Sequence, residues 1–227
     1  MPGLVSRVAD IPAENVRFHQ TYLGGGFGRR GSPSHIIEAA EIAKATGKPI
    51  QLVWTREDDI QQGPFRPASL MRIKAGIDNE GNLIAWEAAR AGADISPDTF
   101  RSMLPALYSW MGDGMIEGVA NLSEWYFEKF ATDESSTEGL FEDYDHPNTR
   151  VTHMTVDHEL PMTFWRSVGH SYTAFAKESM IDEMAEAAGM DEVAFRLQNT
   201  QNTPRLNNVI RVASEHMAKM NPPEGHH

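Results

Sequence analysis

The chain has 227 residues, a formal net charge of −12 and no cysteine. That length can bury a real core in one domain or two small ones, and the acidic balance argues against nucleic acid as a partner, because counterion release needs clustered Lys and Arg. Without cysteine, disulfides, thiolate metal sites, iron–sulfur ligation and cysteine nucleophiles are excluded within these residues, and no apolar run approaches the ~20 residues that span a bilayer.

Met1 to Pro12 lacks the basic flank and apolar stretch of a secretory signal. Met1-Pro2-Gly3 leads at once into structured-looking sequence, as expected of a domain taken from a longer polypeptide. Val16 to Leu23 alternates apolar and polar residues, which predicts a half-buried strand running into Gly24-Gly25-Gly26-Phe27-Gly28-Arg29-Arg30-Gly31. Ser34 to Thr46 carries apolar residues at helical spacing and is stopped by Gly47 and Pro49; Ile50 to Trp54 then reads as a short apolar strand. Met71, Ile73, Ala75 and Ile77 alternate with polar residues or glycine up to Asp78-Asn79-Glu80-Gly81, and a β-like run resumes from Asn82 to Ala91, predicting a hairpin.

Pro97 to Ile116 is helical in pattern with interruptions at Pro105, Gly112 and Gly114. Ser123 to Asn148 interleaves eight acidic side chains with aromatic rings and is expected to be a solvated insertion with a few packed rings. Val151 to Val156 reads as a strand and Leu160 to Gly169 as irregular. Helices follow over Ser171 to Ala188, Asp191 to Thr200 and Asn207 to Met220, the first with Ala174, Phe175, Ser179, Ile181, Met184 and Ala185 as its inward stripe. The order of elements predicts an α+β fold, a mixed sheet with packed helices. Residues 1–223 read as one domain and 224–227 as the remnant of a purification tag.

The glycine run is the sharpest local feature. Between a strand and a helix it leaves backbone N–H groups free to face an anion, and the missing β-carbons allow close approach of a ligand. Alone, it fits equally a tight turn that binds nothing. Gly26, Gly28 and Gly31 also satisfy the dinucleotide fingerprint, with Glu57 where a ribose-binding acid would stand, so an NAD-type module is one alternative. A second motif, Phe164-Trp165-Arg166-Ser167-Val168-Gly169-His170-Ser171, immediately precedes a long helix. His153, His158 and Glu159 have poor spacing for a zinc site. Arg56-Glu57-Asp58-Asp59 fits helix capping and neutralisation of Arg56 better than acid/base chemistry.

Taken with Val53-Trp54-Thr55-Arg56-Glu57-Asp58-Asp59, the two glycine-containing motifs resemble the molybdopterin-binding large subunits of the xanthine dehydrogenase and aldehyde oxidase family, nearest the isoquinoline 1-oxidoreductase β-subunit branch. The resemblance covers nearly the whole chain. It implies a molybdenum-cofactor-binding domain whose cofactor, molybdopterin in its cytosine dinucleotide form, holds the metal, so that no side chain here is a metal ligand. The residues it implies at the cofactor are Gly25, Gly26, Phe27, Gly28 and Arg29 in the first loop and Arg166, Ser167, Val168, Gly169 and His170 in the second.

The implied reaction is hydroxylation of an aldehyde or N-heterocycle with water as oxygen source. The family's general base is a glutamate in a Gly-x-Gly-Glu segment, which this chain lacks, so no catalytic residue is assigned and the isolated chain is expected to be inactive and to bind cofactor weakly or not at all. Implied partners are the rest of the large subunit and an iron–sulfur or haem electron-transfer subunit, on the cytoplasmic or periplasmic face. Arg29-Arg30 replace a lysine common in the family, and Val168 replaces an aromatic residue that stacks on flat substrates, which puts purine substrates in doubt. The competing class is a non-catalytic scaffold or interaction domain that keeps the fold.

Overall fold

The computed structural model describes residues 1–156 and 160–220. The chain divides into two compact units, one of residues 1–69, 92–136 and 154–168, the other of residues 70–91, 137–153 and 169 onward.

The first unit is mostly helical. Helix α1 (Pro2–Ala9) begins on a proline, whose missing N–H is no loss in a first turn, and buries Leu4. It packs on α2 (Ser34–Thr46), which ends at Gly47 in the left-handed conformation. Helix α3 (Arg56–Gln62) is held by a capping box in which Thr55 and Asp58 satisfy each other's backbone amides, and Arg56 pairs with Asp59 at 3.1 Å. Thus the acidic run after Trp54 is a helix start, as its composition suggested. Helices α4 (Ser96–Leu107) and α5 (Asp113–Lys129) form a packed pair, with Ile116 and Ala120 of α5 buried.

Two expected strands are absent. Residues 16–23 and 50–54 adopt no regular structure, with Tyr22 and Val53 largely exposed. Alternation marks a segment suited to a sheet, but a strand also needs a hydrogen-bonding neighbour, and neither segment has one among the described residues. The dinucleotide fingerprint depends on a strand entering the glycine turn, so that reading loses its support.

The acidic and aromatic stretch is also not a solvated insertion. It starts within α5, and Asp133 then accepts hydrogen bonds from the Ile95 and Ser96 amides at 2.8 and 3.1 Å, capping α4 from a distance. After the single turn α6 (Glu134–Thr137), Leu140 and Tyr144 enter the core of the second unit.

That second unit is a helix-on-sheet layer. The sheet order is β1 (Ser69–Ile77), β2 (Leu83–Gly92), β3 (Asn148–Thr155). The first two strands form the expected hairpin, its turn closed by the Asp78 carboxylate accepting from the Glu80 and Asn82 amides. Strand β3 runs parallel to β2, since Asn148 bonds to the Ile84 carbonyl and His153 lies at 3.2 Å from Arg90. The sheet is therefore mixed.

Helices α7 (His170–Ala188), α8 (Glu192–Gln198) and α9 (Pro204–Met217) follow. Leu83, Trp86, Ala88, Leu140, Tyr144, Ile181, Ala185 and Phe195 make the core. The inward stripe of α7 is Thr173, Lys177, Ile181 and Ala185, whereas Phe175 is 76% exposed. A lysine sits inside because Asp143 pairs with it at 2.7 Å and the Glu142 carbonyl accepts from it. Burial and the adjoining Glu178 carboxylate push the Tyr144 hydroxyl above its usual range.

Candidate cofactor-binding site

Three residues of the glycine loop have left-handed backbone: Gly25 (φ 127°), Phe27 (φ 50°) and Gly28 (φ 83°). At Gly28 the need for glycine is twofold, because a β-carbon would also collide with the Phe164 carbonyl. The loop thus lies against the backbone of the second motif. Across the same contact the Arg166 guanidinium sits 4.3 Å from the centre of the Phe27 ring. The amides of Gly25, Gly26, Phe27 and Gly28 donate to no group among the described residues, and Phe27 and Gly28 are exposed.

The second motif is a tight turn closed by the Val168 amide donating to the Trp165 carbonyl at 2.8 Å. Ser167 and Val168 both have positive φ, 62° and 44°. For a β-branched residue this is a costly conformation that persists only where neighbours enforce it. Arg66 does so, one arm of its guanidinium donating to the Val168 carbonyl at 2.8 Å and the other to the Arg166 carbonyl at 2.9 Å. Sequence reasoning missed Arg66, a single arginine between Pro64 and Pro67 whose partners lie about a hundred residues away.

Further contacts fix the approach to this turn. Phe65 and Met162 form a parallel bridge, and the Asp98 carboxylate accepts from the Met162 amide at 2.7 Å. On the other side of the glycine loop, Arg29 bonds to the Ser34 hydroxyl at 3.0 Å and lies over the Trp54 ring. The Trp54 indole in turn donates to Glu38. Burial, Arg29 and Arg30 hold the His35 imidazole below its usual pKa, with Glu38 opposing.

Of the residues singled out in the sequence, Gly25 to Arg29 and Arg166 to Val168 belong to the first unit, and the structure brings the two groups into contact. Gly169 and His170 belong to the second unit and begin α7. There Gly169 is buried, its carbonyl accepting from the Thr173 hydroxyl, and His170 faces Glu138 at 3.3 Å. His158 and Glu159 lie outside the described residues.

The family model for the molybdopterin cofactor-binding domain matches residues 1–96 and 124–200, which take in both loops and omit most of α4 and the first part of α5. The chain belongs to that family. It is 29% identical over 214 residues to the isoquinoline 1-oxidoreductase subunit beta of Brevundimonas diminuta, covering 94% of this chain and 25% of that one. To the aldehyde oxidoreductase molybdenum-binding subunit of Escherichia coli K12 it is 28% identical, covering 88% of this chain and 23% of that one. Among solved structures, quinoline 2-oxidoreductase from Pseudomonas putida 86 superposes with a TM-score of 0.60 at 18% identity, over 88% of this chain and 23% of that chain, a likeness of fold. The chain thus spans about a quarter of the length of the curated relatives it matches.

The residues present suit the cofactor that the family name implies. Unengaged amides at Gly25 to Gly28 offer donors to the oxygen-rich end of a molybdopterin, and open space at Gly24 leaves room beside them, while the Phe27 ring covers Gly25.

Proposed function

We propose that this chain forms part of the cofactor-embracing surface of a molybdenum hydroxylase subunit that oxidises an aldehyde or an N-heterocycle. The observation that carries the reading is the seating of Gly28 on the Phe164 carbonyl, with Arg166 stacked on Phe27, because it turns two motifs far apart in sequence into one polar surface. Gly25 to Arg29 and Arg166 to Val168 bind the cofactor, with Gly169 and His170 extending the second motif into α7. The cofactor in the whole enzyme is the cytosine dinucleotide form of molybdopterin, and when bound it supplies two-electron oxidation with water as oxygen source.

The chain's own residues position rather than react. The amides of Gly25 to Gly28 donate hydrogen bonds, Arg166 supplies positive charge beside them, and Arg66 locks the turn that presents Arg166. No Gly-x-Gly-Glu segment is present to supply the family's general base. The isolated chain is therefore inactive and holds the cofactor weakly, since a ligand enclosed by several segments loses most of its affinity when many are missing. The rest of the large subunit and an iron–sulfur or haem subunit complete the enzyme.

Expression in a host that makes the cofactor, followed by molybdenum and pterin analysis, tests this. The expected result is well under one molybdenum per chain with no aldehyde oxidation. Stoichiometric molybdenum with turnover would contradict the incomplete-site reading.

A further inference from the structure

We infer that the groove beside the glycine loop, where Arg29, Arg30 and His35 converge, is a phosphate site that takes a phosphomonoester or diphosphate group. It deepens the function proposed above, which already places Arg29 at the cofactor, and rests on that reading only for the question of where the phosphate comes from.

The groove, of about 560 Å³, has an apolar floor that includes Ile36, Leu52 and Trp54, and no carboxylate lines it. In a chain of net charge −12 this local balance is the reverse of the average. Neither Arg29 nor Arg30 has a carboxylate within ion-pair distance among the described residues, although the two are sequence neighbours lining one groove. Like charges gathered without a counterion repel, and the effect is visible at His35, whose imidazolium is disfavoured by burial and by both arginines, with only Glu38 opposing. A bound dianion offsets that repulsion.

The geometry is also fixed in advance. Arg29 is held by Ser34 and lies over Trp54, so its guanidinium has a set direction and still has N–H donors to offer. At the start of α2 the Ser34 amide has only a long 3.4 Å bond to the Ser32 hydroxyl, so the positive end of that helix adds to the field. Two forked cations and an imidazole match the charge and the several oxygens of a phosphate better than a single carboxylate.

Titration of the full chain with inorganic pyrophosphate at constant ionic strength, followed by the NMR signals of His35, tests the site without molybdenum or pterin. Saturable binding that raises the His35 titration midpoint is expected, with Arg30→Gln weakening it by about tenfold, the weight of one charge-assisted hydrogen bond. Arg30 is exposed, and a melting curve checks that Arg30→Gln folds. Arg205→Gln, in the second unit, should leave binding unchanged. Absence of saturation at ~10 mM pyrophosphate, or equal weakening by Arg205→Gln, overturns the site. Cytidine diphosphate then separates the sources. Clearly tighter binding than pyrophosphate supports the nucleotide arm of a cofactor, and equal binding supports free phosphate; the result stands whether or not the chain holds molybdopterin.

Discussion

Arg66 donates to the carbonyls of Val168 and Arg166, and so holds in place the turn that sets the Arg166 guanidinium over the Phe27 ring. The turn contains two residues with positive φ, and the clamp is what the surrounding structure contributes toward their strain. Arg66→Ala should lower stability by about 1.5–3 kcal/mol, the range for hydrogen bonds to a charged group. Chemical denaturation measures it; a change below about 0.5 kcal/mol would mean the turn holds itself.

Val168 offers the converse. Its backbone stands at φ 44°, where glycine is comfortable and a β-branched residue is not. Val168→Gly relieves strain of about 1–3 kcal/mol against a chain-entropy cost of about 0.5–1 kcal/mol. The variant should therefore be as stable as wild type or slightly more so, and a melting temperature several degrees lower would contradict the strain.

In the second unit Trp86 is 2% exposed and its indole donates to the Leu140 carbonyl at 2.7 Å. Trp86→Ala should cost about 3–5 kcal/mol through the cavity it leaves. Trp86→Phe keeps most of the volume but leaves that carbonyl unsatisfied, for about 1–3 kcal/mol. Equal losses in the two variants would show that the hydrogen bond, not the packing, dominates.

His35 gives a pH signature. Its folded pKa is depressed, by burial first and then by Arg29 and Arg30, so below the ordinary imidazole value of 6.5 the unfolded chain binds the proton before the folded one does. The contribution of neutral His35 is thus complete above 6.5 and is lost as pH falls from there toward the folded pKa. Stability measured across this window should decline toward acid, and His35→Gln should flatten that part of the decline. An unchanged profile in His35→Gln would assign the effect to other groups.

Much of this was legible from sequence because it is local. Helix α2, the β1–β2 hairpin and the three C-terminal helices follow from side-chain periodicity and from Gly47, Asp78 and Gly81 at their turns. Val16 to Leu23 also has the local pattern of a strand, yet pairing is a long-range property, and no neighbour is present among the described residues. Phe175 has the periodicity of an inward residue and Lys177 the composition of an outward one, because periodicity counts apolar residues and cannot see that Asp143 satisfies a buried lysine. In the candidate site the glycines announced themselves through composition. Arg66 and Asp98 did not, since each acts through contacts with a segment more than sixty residues away.

The claim that the two loops make one cofactor surface is tested most directly by titrating the full chain with molybdopterin, followed by pterin fluorescence, for wild type and Gly28→Ala. Gly189→Ala is the control, a glycine with φ 65° whose β-carbon would meet open space. The account predicts weak saturable binding by wild type and by Gly189→Ala, with Gly28→Ala weaker by about tenfold or more. Equal binding by Gly28→Ala, folded to the same degree, would contradict it.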